Sequence, residues 1–307
     1  MTQVIHFLKK IGFVLLLLAA GFQAVAADSS PNPSDIAKWC GDLRSSFREL
    51  KWNLEPCDGI EWKFESRSVE GRPLVYAEFG ELDSPNTTLI FTAVHGDEIT
   101  PVYLGIKLAR WVQEHVKELA KLPPAQTKHF HVVIAPIVNP DGFFDKPRTR
   151  MNAHGVDVNR NFATTDWDTH ALQAWKAKYH SDHRRYPGPR SRSEPETVFQ
   201  EDLIHRFKPK KILSVHSPLN FLDYDGPTAV SLEKFPREYI KKCLELRAQL
   251  KAISSGVFPG SLGNFAGREL GIPTLTLELP TADPHKAENY WQHFRRGIHT
   301  MIEYEVP

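Results

Sequence analysis

After Pro56 the spacing of apolar and polar positions changes twice. FESRSVEGRPLVYAEFGE (64–81) alternates polar and apolar residues on either side of Glu70-Gly71, which predicts a hairpin. Beyond it, apolar runs at LIFTAV (89–94), HVVIAPIV (131–138), KILSVH (211–216) and TLTLEL (274–279) alternate with segments of helical period. Those segments are YLGIKLARWVQEHVKEL (103–119), TVFQEDLIHRF (197–207) and REYIKKCLELRAQLKAI (237–253). Unbroken apolar runs are what strands covered on both faces require, and the intervening helices supply the cover. The expected fold is therefore α/β: a mixed, largely parallel central sheet flanked by helices, in a single domain. Ligands bind beyond the carboxyl ends of the strands in such sheets. Residues that directly follow an apolar run thus become the candidates for chemistry.

The first 26 residues have a different character. Lys9 and Lys10 precede the apolar run IGFVLLLLAAGF and the small residues Ala24-Val25-Ala26, the grammar of a secretory signal peptide. The run falls short of the ~18 apolar residues needed to span a bilayer, so no stable membrane anchor is expected. The chain divides into a leader (1–26), an N-terminal extension (27–65) and a main domain (66–307). The extension begins with a polar, proline-containing lead-in, SPNPSDIAKW (30–39), whose Ser34 and Asp35 suit a helix start. Its amphipathic segment LRSSFRELKWNL fits a helix packed on the core, a pro-region or a docking element.

A chain of 307 residues with 41% hydrophobic and 24% charged content is neither disordered nor fibrous. Losing the leader removes two lysines and no acids, taking the formal charge from +1 to −1 with no basic stripe left, so nucleic acid is not an expected partner. Export places Cys40, Cys57 and Cys243 in an oxidising setting. Cys40 and Cys57 are close enough in sequence to close a short loop, three free thiols being the alternative. Their spacing matches no zinc-binding pattern.

The run LIFTAV ends in HGDE, placing His95 and Glu98 three apart at a strand-to-helix turn that Gly96 leaves free to form. The same spacing occurs in His115 with Glu118 and in His285 with Glu288, but only the first pair follows an apolar run; the others suit solvated helix surfaces. KILSVH ends at His216, again where the backbone leaves the sheet. Two histidines and a glutamate with an open fourth position form the ligand set of one catalytic zinc ion. TLTLEL carries Glu278 at the end of another run, where an unpaired buried charge is costly without a purpose. It suits a general base and then acid; a salt bridge to arginine is the alternative. The segment RTRMNAHGVDVNRNF (148–162) gathers Arg150, Asp157, Asn159, Arg160 and Asn161, and the arginine fork binds carboxylates at two points. His180 and His183 in YHSDHRR lack a preceding strand and are expected at the surface.

HGDE (95–98), NPDGF (139–143), GVDVNRNF (155–162), SVHSP (214–218) and TLELP (276–280), in this order, resemble the carboxypeptidase A-like zinc metallopeptidase family. The resemblance covers roughly residues 66–307 and makes them the catalytic domain. It implies zinc held by His95, Glu98 and His216, with Glu278 as catalytic acid/base. Arg150 is then the carbonyl-polarising and oxyanion-stabilising residue, and Asn159 and Arg160 grip the substrate's terminal carboxylate. Asp157 is implied to orient His95 through its ring nitrogen. Digestive members cover that carboxylate with a mobile tyrosine, and residues 256–265 contain none.

RMNAHGVDVNRNF, SEPET (193–197), HSPL (216–219) and PGSLGNF (259–265) are similar to segments of the family's murein-peptide branch. That likeness implies hydrolysis of the γ-D-glutamyl-meso-diaminopimelate bond in peptidoglycan stem peptides, with Asp223 and Tyr224 as candidates for contacting the second amine of diaminopimelate. With the leader, the expected location is periplasmic or secreted. The alternatives are a general metallocarboxypeptidase releasing C-terminal L-amino acids, an aspartoacylase-like deacylase, and a non-catalytic wall-binding protein.

Overall fold

The computed structural model describes residues 33–122, 129–226 and 258–306. The leader at 1–26 and the helical pattern at 237–253, with Cys243, lie outside the described residues. At Glu70-Gly71 the chain turns as expected: β1 (Lys63–Arg67) and β2 (Pro73–Gly80) pair antiparallel, with Gly71 at φ 79°. The four apolar runs form β3 (Thr87–Thr92), β4 (His131–Ala135), β5 (Lys211–His216) and β7 (Thr274–Glu278); β6 (Leu222–Asp225) lies between the last two in sequence. Together they make a seven-stranded sheet in the order β1-β2-β4-β3-β5-β7-β6. Its centre, β4-β3-β5-β7, is parallel, and both margins are antiparallel. The sheet is therefore mixed, with the parallel strands where both faces are covered.

Helices cover the two faces. On one, α1 (Pro33–Glu49), α2 (Ile99–Leu119) and a C-terminal helix (Ala287–Glu303) bury Leu43, Phe47, Val102, Ile106, Trp291 and Ile298 against Val75, Ile90 and Ile134 of the sheet. The period-2 alternation of each strand sends its other face toward Phe199, Leu203 and Ile204, which come from the helix Pro195–Phe207. The N-terminal extension is part of the first layer, since Trp39, Leu43, Phe47, Trp52 and Trp62 all belong to that core. Cys40 and Cys57 are joined by a disulfide. Fixing α1 to the loop that follows it keeps these aromatics on the sheet.

Candidate active site

Three strands deliver the site at their carboxyl ends. After β3 the backbone turns sharply, with Ala93 at φ 47°. A Cβ on Gly96 would come within 2.1 Å of the Gly142 carbonyl carbon, so glycine is required there for close backbone approach rather than for its own dihedral. The turn leaves His95 pointing inward and Glu98 at the start of α2. His216 is the last residue of β5 and lies in register with Glu278, the last of β7. Strand pairing thus sets the base beside the second histidine.

His95, Glu98 and His216 are all buried, and among the described residues they are the one His/Cys/Asp/Glu group whose ligand atoms converge, all within 4.8 Å. His95 Nδ1 is 2.7 Å from Glu98 Oε1, His216 Nδ1 is 2.9 Å from Glu98 Oε2, and the two Nδ1 atoms are 3.2 Å apart. The other ring nitrogens have partners of their own: His95 Nε2 donates to Asp157 Oδ1 at 3.1 Å, and His216 Nε2 lies 2.9 Å from Ser214 Oγ. With both rings protonated at Nε2, two lone pairs and a carboxylate face one another, a donor set that calls for a shared cation. The electrostatics agree. Burial would raise Glu98, yet His95 and His216 hold it far below the usual carboxylate range. Burial and Arg150 would lower His95, yet Glu98 and Asp157 hold it above its ordinary value. The residues fit a zinc ion.

Asp157 is fully buried and is kept ionised against burial by Arg150, His95 and Arg160. It accepts from Arg150 Nε and Nη2 at 3.1 and 2.8 Å, so one carboxylate aligns both a histidine and an arginine. Arg150 Nη1 stands 3.0 Å from His95 Nδ1. These groups line a cavity of about 560 Å³ with Glu278, Asn159 and Arg160. Glu278 is raised by burial, with His216 pulling it down and Glu98 pushing it up. Its Oε2 accepts from Leu219 N at 3.4 Å, and no arginine among the described residues pairs with it. Arg160 donates to the Asn159 carbonyl at 2.6 Å and lies 4.7 Å from the Phe258 ring, while its buried Nε has no partner among the described residues. An unsatisfied guanidinium donor in a cleft is suited to an incoming anion.

The zinc carboxypeptidase family profile matches residues 63–283. This chain belongs to the zinc carboxypeptidase family. Within the family it is 30% identical over 223 residues to murein peptide amidase A of Escherichia coli strain K12, covering 72% of this chain and 82% of that one. To murein peptide amidase A of Vibrio campbellii it is 31% identical over 220 residues, covering 70% and 77%. The crystal structure of murein-tripeptide amidase from Escherichia coli O157 superposes with a TM-score of 0.54 at 25% identity, covering 80% of this chain and 93% of that one. Carboxypeptidase A of Helicoverpa armigera, at 17% identity and a TM-score of 0.60, shares the fold over 91% of this chain and 76% of its own. The chain is a metallopeptidase of this family, with zinc as its metal.

The remaining expectations have mixed outcomes. His180 and His183 are exposed, and His115 pairs with Glu303 rather than Glu118. Asp223 lines the cavity as expected, but Tyr224 does not: alternation along β6 turns it away to pack on the large core. The same alternation brings Asp225 to the cavity, a residue that no motif singled out. Ser214 escaped notice as well, although it precedes His216 by two and so shares its face of β5. Arg184 also lines the cavity, from a segment that reads as plain surface.

Proposed function

We propose that this protein is an exported zinc-dependent peptidase hydrolysing the γ-D-glutamyl-meso-diaminopimelate bond of peptidoglycan stem peptides, a murein tripeptide amidase or DL-carboxypeptidase. His95, Glu98 and His216 hold the metal. A zinc ion bound there supplies Lewis acidity and lowers the pKa of water to about 7. Glu278 takes a proton from the attacking water and hands it to the leaving amine. Arg150 donates to the scissile carbonyl oxygen as charge develops on it, and Asp157 keeps both Arg150 and the His95 ring in place. Asn159 and Arg160 bind the terminal carboxylate of the departing residue.

The observation that carries the substrate assignment is the acidic wall formed by Asp223 and Asp225 in the same cavity. Burial lifts Asp225 to about 6, Asp223 adding to the rise and Arg268 opposing it. An ammonium group placed beside the two relieves that repulsion, and diaminopimelate carries one at the end of its side chain. An apolar C-terminal residue gains nothing from such a wall. The names of the amidase relatives support the same choice, and the leader supports a periplasmic or secreted location.

The test is to incubate the zinc-loaded protein with L-Ala-γ-D-Glu-meso-diaminopimelate and identify products by mass spectrometry. Free diaminopimelate is expected, and its release should stop on chelation of zinc. An intact tripeptide alongside release of ordinary L-residues from α-linked peptides would replace this reading with that of a general carboxypeptidase. Fractionation of the producing cells checks the location.

A further inference from the structure

The cavity wall carries a third arginine beside Arg150 and Arg160. Arg184 lies in the helical turn His183–Arg185, where its N–H is capped by Asp182 Oδ1 at 3.0 Å. Its carbonyl accepts from Arg150 Nε at 3.1 Å, so the two arginines are immediate neighbours. Its Nη2 donates to Asp97 Oδ2 at 2.7 Å, and Asp97 stands in sequence between two of the residues that face the metal position. The guanidinium is thus fixed at one nitrogen and 48% exposed toward the cleft, and its Nε and Nη1 carry no hydrogen bond among the described residues.

This arrangement orders three cations along the cleft. Arg160, with Phe258 and Asn159, lies where the departing residue's carboxylate binds; Arg150 serves the scissile carbonyl; Arg184 lies beyond Arg150. A γ-linked glutamate is joined through its side-chain carboxyl, so its α-carboxylate stays free, three bonds and about 4 to 5 Å from the scissile carbon. An α-linked peptide has no anion at that place. Resting on the function proposed above, we infer that Arg184 is a specificity residue that binds the free α-carboxylate of the residue on the acyl side of the scissile bond. Asp97 holds the fork so that its remaining donors face that oxygen pair.

The test compares L-Ala-γ-D-Glu-meso-diaminopimelate with its α-carboxamide, L-Ala-γ-D-isoglutaminyl-meso-diaminopimelate. The partly exposed fork limits the effect through solvent screening, and the zinc-loaded wild type should favour the free acid by roughly tenfold in kcat/KM. Arg184→Gln should bring the acid-to-amide ratio to about one, and Arg184→Lys, which keeps the charge without the fork, to an intermediate value. Arg190→Gln removes the same charge from outside the cavity and should leave the ratio as in the wild type. Calorimetry in a Glu278→Gln background gives a readout independent of turnover: Arg184→Gln should weaken binding of the acid about tenfold more than that of the amide. A wild-type ratio near one, or a ratio that survives in Arg184→Gln, overturns the role of Arg184 while leaving the parent function standing. Cleavage of neither peptide by the wild type overturns both.

Discussion

Replacing Glu196 by glutamine tests whether a buried carboxylate behind the site is held at a cost that depends on pH. Glu196 is fully buried; its Oε2 accepts from Asn152 Nδ2 at 2.8 Å and its Oε1 from Val69 N at 3.2 Å. Asn152 also donates to Glu194 at 2.6 Å, so two buried carboxylates share one amide two residues from Arg150. Burial pushes Glu196 up to about 7 from the ordinary 4.5, with Asn152 and Val69 pulling down and Asp141 pushing up. A carboxyl raised on folding binds more protons in the folded state between those values, so stability falls as pH rises through that window. The gap of 2.5 corresponds to at most about 3.4 kcal/mol, of which about 2.5 kcal/mol develops between pH 5 and pH 8. Glutamine does not titrate. The stability of Glu196→Gln relative to wild type should therefore increase by about 2.5 kcal/mol from pH 5 to pH 8, read from urea unfolding of the zinc-loaded proteins at each pH. Taking the difference between the two proteins cancels the pH dependence of zinc binding itself. A difference that stays flat with pH would show that Glu196 is not held against its charge.

Other outcomes test the remaining parts. Glu278→Gln should lower kcat by roughly 10²- to 10⁴-fold while elemental analysis still finds one zinc per chain; loss of the metal would reassign Glu278. Because burial raises Glu278 and its ionised form is the base, kcat/KM should rise with pH through a limb above 4.5, and a limb at or below that value would contradict the environment described. Asp157→Asn should weaken zinc binding by about 10- to 100-fold in competition with a chromophoric chelator, since it orients His95; unchanged affinity would remove that role. Leu43→Ala should cost about 2 to 5 kcal/mol in unfolding, and a loss under about 1 kcal/mol would make the N-terminal helix an accessory rather than core.

Legibility in the sequence follows from how local each determinant is. β3, β4, β5 and β7 are buried on both faces, so each announces itself as an apolar run, and a metal-facing or basic residue at its end stands out by contrast. HGDE needs only a turn, and NRNF needs only a loop anchored by Asp157, so their spacing survives in the linear order. β6 is short and at the margin of the sheet, so nothing in four residues fixes which of Asp223, Tyr224 and Asp225 faces the cavity; pairing with β7 decides it. The role of the N-terminal extension likewise depends on which surface its aromatics meet.

Arg184 shows where such reading stops and why. In sequence it is one of several cations in a polar stretch, and its charge alone marks solubility. What distinguishes it are contacts that span the chain: Asp97 lies 87 residues away and Arg150 34 residues away. Arg190 belongs to the same stretch, yet it reaches only the carbonyls of Ser191 and Arg192, at 3.5 Å. Two arginines of equal charge thus differ in whether an acid from another strand end holds the fork over the cleft. If the acid-to-amide ratio responds to one and not to the other, placement rather than charge selects the substrate; if both shift it alike, the general field of the basic rim is sufficient and no single arginine reads the acyl residue.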